Sequence, residues 1–217
     1  MNTKSSLLRA SALVLLLSGT WLHAAVIFDS LGSTVNGSVG AGSGVWWGQS
    51  FVVDANNHTL TSVVLDISGM YGGAGGNFFV SIYNATGVSS TPGSSLATLI
   101  GSADPSSAGN YTYTPAGTLN LAANTTYYVV AGVSSGSVTY IWNGSSSSPA
   151  TGSTIGSSDS FDQGATWFVP DTSLTLAMQV NAVPEPVNMA LGIFGVLLGG
   201  GQSFRWWNAR RAKLSHS

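Results

Sequence analysis

Few residues of this sequence could carry out acid–base or nucleophilic chemistry. Between residues 26 and 183 there is one histidine, His58, in a polar Asn-Asn-His-Thr stretch that predicts a solvated turn. A Ser-His-Asp arrangement needs a histidine held between a nucleophile and an acid, and a glycosidase usually needs two carboxylates with separated pKa values. The same interval has no glutamate, and its aspartates fall near turns or on exposed strand faces. We therefore expect no catalytic residues and no enzymatic activity.

The oxygen-rich loops raise the question of a calcium site, because this hard cation takes oxygen ligands. Asp159 and Asp162, flanked by serines, form the best cluster, and Asp54 with Asn56 forms the second. Neither cluster has the spacing of an EF-hand loop. The alternative is that these aspartates cap turns. The chain also has no cysteine for a thiolate zinc site. We expect no metal and no cofactor, and Asp159 and Asp162 are the calcium candidates.

Three tryptophans could stack on sugar rings. Trp46, Trp142 and Trp167 fall at the ends of predicted strands or beside loops. An exposed aromatic face at such a place suits carbohydrate binding, whereas the alternative is that these rings pack in the core or at its rim.

The charge distribution excludes one class of partner. All six basic residues lie in the two terminal segments: Lys4, Arg9, Arg205, Arg210, Arg211 and Lys213. The interval 26–183 has seven aspartates, which give it a formal charge of about −7 with His58 neutral. Nucleic-acid binding depends on Lys and Arg side chains that neutralise phosphates. We therefore exclude a nucleic-acid partner.

The first 25 residues have the organisation of a secretory signal peptide. Lys4 and Arg9 form a basic start, residues 10–17 form a short apolar run, and His23-Ala24-Ala25 provides a small-residue cleavage site. Cleavage after Ala24 and cleavage after Ala25 are both compatible with the pattern. A retained N-terminal anchor is the alternative, and both interpretations predict that the rest of the chain is exported.

The C-terminal segment, residues 183–213, predicts a membrane span. Prolines at 184 and 186 end the preceding fold, since they lack N–H donors and favour extended backbone. Residues 187–204 carry no charge and as a helix would reach roughly 27 Å, enough for a thin bilayer. The basic cluster at 205–213 then holds that end on the cytoplasmic side. A buried C-terminal helix of a soluble domain is the alternative.

Val183-Pro184-Glu185-Pro186, the short apolar run and the arginine-rich end together resemble the PEP-CTERM sorting signal. This family occurs in Gram-negative bacteria that make extracellular polysaccharide. The resemblance implies that a membrane-embedded exosortase is the partner and that Pro184, Glu185 and Pro186 are the recognition motif. It also implies a stop signal made by Arg205, Arg210, Arg211 and Lys213.

The interval 26–182 predicts one all-β domain. Short apolar runs alternate with polar residues, as in Leu60 to Ile67 and Phe78 to Tyr83, and no stretch has a helical period. We read residues 31–44 and 144–158 as loops and Thr91-Pro92-Gly93 as a turn. Nine or ten short strands with turns between them predict an antiparallel β-sandwich of jelly-roll type.

Several motifs within this interval resemble the choice-of-anchor extracellular domains, most closely the R type. They are Gly48-Gln49-Ser50-Phe51, Leu60-Thr61-Ser62-Val63, Ser94-Ser95-Leu96-Ala97, Leu119 to Leu121 and Thr126-Tyr127-Tyr128-Val129-Val130. The resemblance implies a surface domain with no known catalytic activity.

Together these features predict a non-enzymatic protein exported across the inner membrane of a Gram-negative bacterium. The C-terminal helix would anchor it before an exosortase processes the tail, and the mature protein would then belong to the cell surface or the exopolysaccharide matrix. A structural or adhesive role in a biofilm follows. The alternative is a lectin-like carbohydrate-binding module, with or without calcium.

Overall fold

The computed structural model describes residues 24–73, 75–87 and 90–185. Over these residues the chain forms thirteen β-strands and no helix, so the all-β, antiparallel class is confirmed. No helix within these ranges is long and apolar enough to cross a membrane. Most of the predicted signal peptide, the predicted helix at 187–204 and the basic cluster at 205–213 lie outside the described residues.

The strands, in chain order, are β1 (Ala25–Asp29), β2 (Gly37–Gly42), β3 (Trp46–Val52), β4 (His58–Gly72), β5 (Phe78–Ala85), β6 (Pro92–Ile100), β7 (Gly109–Pro115), β8 (Asn120–Leu121), β9 (Thr126–Val133), β10 (Val138–Ser145), β11 (Ser157–Ser160), β12 (Thr175–Leu176) and β13 (Met178–Pro184).

One antiparallel sheet curls around a single core. Its main path runs β1-β13-β4-β7-β6-β5-β9-β3-β11, while β10 pairs with β2, β4 and β12, and β8 pairs with β4. The link between the two halves is short, because β6 and β7 share only the pairs Leu99–Pro115 and Ile100–Thr114. The half built on β4 therefore packs against the half built on β9 mainly through side chains.

The core follows from the alternation of side chains along the central strands. Val63, Leu65 and Ile67 of β4 are completely buried, which confirms the half-buried pattern expected there. In the other half, Phe78 of β5 meets Tyr140 of β10 edge-on, with ring centroids 4.9 Å apart. These apolar contacts hold the two halves of the curled sheet together.

Three predicted loops or turns contain strands instead. Residues 31–44 were expected to form a loop, yet β2 pairs along β10 and buries Val39 and Ala41. Pro92, expected in a turn, begins β6. The serine-rich stretch at 144–158 leads into β11, which pairs with β3 and also forms an antiparallel bridge from Ser157 to Asp171. Gly and Ser side chains carry little hydrophobic periodicity, so these strands left no pattern in the sequence.

Trp142 is a core residue. It belongs to β10, is completely buried, and donates its indole Nε1–H to the carbonyl of Ala177 at 2.9 Å. The prediction that Trp142 stacks on a glycan is therefore wrong. Its ring packs within the core, and its polar atom completes the hydrogen bonding of the irregular step between β12 and β13.

Replacing Trp142 tests this role. We expect Trp142→Ala to lower the free energy of unfolding by about 3–5 kcal/mol, because it leaves a large cavity and removes a buried hydrogen bond. Trp142→Phe should cost less. Urea unfolding followed by circular dichroism measures both, with Tyr71→Ala as the control because Tyr71 is 61% exposed. Equal losses for Trp142→Ala and Tyr71→Ala would contradict the assignment.

Candidate functional site

The first two residues of the Pro-Glu-Pro motif belong to the folded domain. Strand β13 ends at Pro184, which pairs with His58 at the start of β4. The backbone N–H of Glu185 then donates to the carbonyl of Asn57 at 3.0 Å. Pro186 lies outside the described residues. The motif therefore begins inside the sheet, with no spacer between the domain and Pro184.

The two ends of the domain lie side by side. Strand β1 begins at Ala25, at the predicted signal-peptide cleavage site, and Ala25 pairs with Ala182 of β13. Asn57 also accepts a hydrogen bond from the N–H of Ala123, which places the 122–125 turn at the same end of the molecule. We call this end the chain-end pole. It comprises Ala25, Pro184 and the turns at 53–57 and 122–125.

His58 is buried, so the expectation of a solvated turn residue is wrong. It is the first residue of β4, is 2% exposed, and lies 2.9 Å through Nε2 from Oδ1 of Asp54. The other ring nitrogen, Nδ1, is enclosed. Across the described residues, no hydroxyl lies within hydrogen-bonding distance of either ring nitrogen. The pair therefore resembles two members of a hydrolytic triad without a nucleophile.

Burial raises the pKa of Asp54, but hydrogen bonds from His58 and from the N–H of Asn56 outweigh it, and the net pKa is below its usual value. The carboxylate therefore stays charged and fixes the turn that delivers His58 to the sheet.

Trp46 lies on the outer face of the β3–β9–β5 half, away from the core. Its indole covers Gly132 of β9 so closely that a Cβ there would overlap the ring. Phe79 meets the same indole edge-on at 4.7 Å between centroids. Gly164, in the loop at 161–170, approaches the other edge of the ring with a φ of +83°. Trp46 thus packs between that loop and the sheet.

Trp167 anchors the same loop a few residues later. Its ring meets Tyr83 of β5 edge-on at 6.2 Å between centroids. The Nε1 atoms of Trp46 and Trp167 are enclosed and have no hydrogen-bond partner in the described part of the chain. Both rings are half-buried, so each keeps only part of its surface available to a ligand.

Sequence reasoning did not identify the exposed apolar residues of the 161–170 loop. Phe161, Phe168 and Val169 of this loop are 61%, 57% and 74% exposed, and the two phenylalanine rings meet edge-on at 5.6 Å. They lie beside Ser160, which pairs with Trp46 at the start of β3. This is the end opposite the chain-end pole, since β3 runs from here toward the 53–57 turn.

Asp162 holds the loop in shape. Its Oδ1 accepts from the Ser160 hydroxyl and from the N–H of Thr166, each at 2.8 Å, and its Oδ2 accepts from the Thr166 hydroxyl at 2.6 Å. These bonds lower its pKa to about 2. Asp162 therefore caps a turn, which is the alternative to calcium binding given in the sequence analysis.

Asp159 has a different environment. Burial raises its pKa, and the nearby charge of Asp171 adds to the effect. Its carboxylate is not drawn into the hydrogen bonds that surround Asp162. Over residues 24–73, 75–87 and 90–185, no three His, Asp or Glu side chains cluster in a way that could hold a metal ion. The absence of a metal in this protein stays a prediction, and Asp159 and Asp162 stay its calcium candidates, with the Asp162 carboxylate engaged in loop hydrogen bonds.

A second feature missed by sequence reasoning is a cleft of about 210 Å³ between the 146–149 loop and β12. Its lining consists of serine, threonine, glycine and proline. Serine-rich loops give no sign of a cavity, because only the tertiary fold brings residues 146–149 opposite Thr172 and Thr175.

No family model matches the chain, and no curated protein matches it either.

The pH dependence of stability tests the role of Asp162. Because its folded pKa is about 2 and its usual value is 3.8, its charge stabilises the fold above about pH 4 and that contribution is lost as pH falls toward 2. We expect Asp162→Asn to flatten the unfolding profile in this window. Some slope should remain, since the pKa values of Asp54 and Asp171 are also lowered.

Asp159→Asn is the matched control. Its pKa is raised, so ionisation of this carboxyl lowers the free energy of unfolding as the pH rises. Asp159→Asn should therefore change the pH profile of stability in the sense opposite to Asp162→Asn. Thermal unfolding midpoints between pH 2 and 5 measure both variants. Parallel profiles for the wild type and Asp162→Asn would rule out the proposed stabilisation.

Proposed function

We propose that this chain is an exported, non-enzymatic protein of the cell surface or the extracellular polysaccharide matrix, sorted by an exosortase through Pro184-Glu185-Pro186. One observation carries the proposal. The folded domain begins at Ala25 and ends at Pro184, so it fills the interval between the two predicted targeting segments. Its body has no Lys or Arg, which are confined to those segments. Export and sorting signals at the two ends of one surface domain would have this organisation.

We interpret the curled sheet as a jelly-roll-like β-sandwich of the choice-of-anchor type. In this proposal the C-terminal helix anchors the domain in the inner membrane of a Gram-negative bacterium until the tail is processed. The mature domain is then released to the surface or the matrix, where it has a structural or adhesive role.

The position of the chain ends orients the anchored domain. Because β13 delivers Glu185 to the chain-end pole, that pole faces the membrane while the tail is intact. The loop at 161–170, with the exposed Phe161 and Phe168, then faces away from the membrane. An outward aromatic loop fits a protein whose contacts are made in the matrix.

The C-terminal peptide of the mature protein tests this proposal. In cells with an active exosortase we expect the chain to end near residues 184–186, whereas in cells without one the tail should persist. Mass spectrometry of membrane, surface and culture fractions measures the difference. A protease other than trypsin is needed, because residues 26–183 contain no Lys or Arg.

Glu185→Ala provides a matched variant, since it keeps the backbone N–H through which Glu185 bonds to Asn57, and no hydrogen bond joins the Glu185 side chain to another described residue. It should retain the tail even in cells with active exosortase, with unchanged thermal unfolding. An intact chain through Ser217 in the inner membrane of wild-type cells would contradict sorting and remove the main support for a matrix location.

A carbohydrate-binding module is the second candidate function. The partly exposed rings of Trp46 and Trp167, in the same region as the exposed Phe161 and Phe168, favour it, because exposed aromatic surface can stack on the apolar faces of sugars. Acidic polysaccharides suit this domain poorly, since it has no basic side chain between residues 26 and 183.

Affinity electrophoresis in gels that contain matrix polysaccharide tests this candidate. We expect Trp167→Ala to weaken retardation at least about threefold, because an aromatic contact contributes about 0.5–1.5 kcal/mol beyond its buried area. Tyr71→Ala is the control, because Tyr71 is an exposed aromatic residue on β4, outside the 161–170 loop. Comparison with and without a calcium chelator tests the calcium requirement. Equal retardation of all three proteins would exclude binding through this face.

A further inference from the structure

The cleft beside β12 is lined almost entirely by hydroxyl groups. Six of its lining residues are serine or threonine: Ser146, Ser147, Ser148, Thr154, Thr172 and Thr175. Pro149 and Gly156 complete the wall. At about 210 Å³ the space is smaller than the roughly 300–1,000 Å³ of pockets for drug-sized ligands. It therefore suits one small ring or the end of a chain.

The walls of the cleft are held in place by hydrogen bonds. On one side, the side-chain amide of Asn36 donates to the Ser146 hydroxyl at 2.7 Å and accepts from the Ser146 N–H at 2.9 Å. On the other side, the Thr154 hydroxyl accepts from Gln49 Nε2 at 2.7 Å and from the Gly156 N–H at 3.0 Å. A cleft with braced walls loses little entropy when it binds a ligand.

Thr175 is a buried polar side chain that the fold leaves without a partner. It is 6% exposed, and its hydroxyl makes no hydrogen bond to any described residue. Its neighbour in β12, Leu176, lies in the core, so strand alternation turns the Thr175 side chain away from the core, on the side where Thr175 lines the cleft. A buried hydroxyl without a partner costs free energy, and a ligand hydroxyl in the cleft would remove that cost.

The charges around the cleft restrict the ligand. None of the lining side chains is ionisable, and residues 24–185 contain no Lys or Arg to balance a phosphate, sulfate or carboxylate. The acidic residue next to the lining in sequence is Asp171, which precedes Thr172. Both oxygens of its carboxylate already accept hydrogen bonds from Ser173. The cleft therefore offers hydroxyl donors and acceptors, with the ring of Pro149 as an apolar contact.

We propose that this cleft binds one neutral sugar residue of a polysaccharide. A neutral sugar combines hydroxyls that can both donate and accept with apolar C–H faces, which matches the lining, and an acidic sugar would meet an anionic domain with no counter-charge. The site is separate from the Trp46 and Trp167 face. It extends the carbohydrate-binding candidate to a second surface and does not depend on processing of the tail.

Saturation-transfer NMR with the full-length protein tests the proposal. The protein is held in a detergent without a sugar head group, because a glycoside detergent would compete for the cleft. The probes are neutral hexoses and short neutral oligosaccharides, with glucuronic acid as the acidic comparison. We expect transfer to the neutral sugars and none to glucuronic acid.

Two variants test whether the sugar binds in the cleft. Thr175→Val keeps the shape but removes the unpaired hydroxyl, and should weaken binding roughly threefold to tenfold, the range for loss of one neutral hydrogen bond. Ser148→Trp, on an exposed loop, should fill the cleft and abolish transfer. Thr114→Val, an exposed threonine on β7, is the control and should bind as the wild type does. Thermal unfolding establishes that each variant is folded.

Absence of transfer to every neutral sugar at tens of millimolar would overturn the proposal. So would binding that Thr175→Val and Ser148→Trp leave unchanged while Trp167→Ala removes it, since the sugar would then occupy the outer aromatic face. Failure of tail processing in cells would overturn the sorting proposal without affecting this result. The two proposals therefore fail by different measurements.

Discussion

Gln49 lies in β3 with its side-chain amide completely buried, and the closure of the sheet depends on its hydrogen bonds. Its Oε1 accepts from the N–H of Leu176 in β12 at 2.7 Å, and its Nε2 donates to the Thr154 hydroxyl and to the carbonyl of Gly156. One side chain thus joins β3 to a strand of the opposite half and to the segment that leads into β11. Without it, a buried backbone N–H would lose its partner, a cost that native folds rarely carry.

Neutral hydrogen bonds of this kind take the place that ion pairs and disulfides have in many other small domains. The chain has no cysteine, and in the described residues the one contact between a basic and an acidic side chain is the hydrogen bond between His58 and Asp54. The aspartates are accommodated by backbone donors instead, as where Asp29 accepts from the N–H of Leu31 and Asp171 from that of Ser173. A domain that is acidic and lacks basic residues can therefore still supply hydrogen-bond donors to most of its carboxylates.

The positions of the domain ends and of the uncharged surfaces bear on the proposed function. The first and last described strands bring Ala25 and Pro184 to the chain-end pole, and the loop carrying Phe161 and Phe168 lies at the opposite end. Since Ala25 and Pro184 are fixed by strand pairing, a domain attached through its tail, as we propose, would face in a direction set by its fold. The hydroxyl cleft and the outer aromatic face then provide two uncharged surfaces, and both suit neutral partners better than charged ones.

What the sequence by itself determined is the all-β class and the strands with regular alternation, such as Val63, Leu65 and Ile67, because period-2 burial requires apolar residues at every second position. The domain bounds that it predicts, 26–182, stay a prediction; the described strands run from Ala25 to Pro184. The tail beyond Glu185 lies outside the described residues, so its role rests on the sequence.

Only the tertiary structure decided which polar and aromatic residues are buried. The sequence predicts a turn residue at His58 and a strand-end aromatic at Trp142, yet both are buried. Segments distant in the chain lie beside them: Pro184 pairs with His58, and Ala177 accepts the hydrogen bond of Trp142. Strands β2 and β11 consist largely of Gly and Ser, whose side chains carry no pattern, and they form because a neighbouring edge offers unpaired backbone groups. The cleft has the same origin. Its hydroxyls come from segments far apart in the chain, and no local pattern records that the fold brings them together.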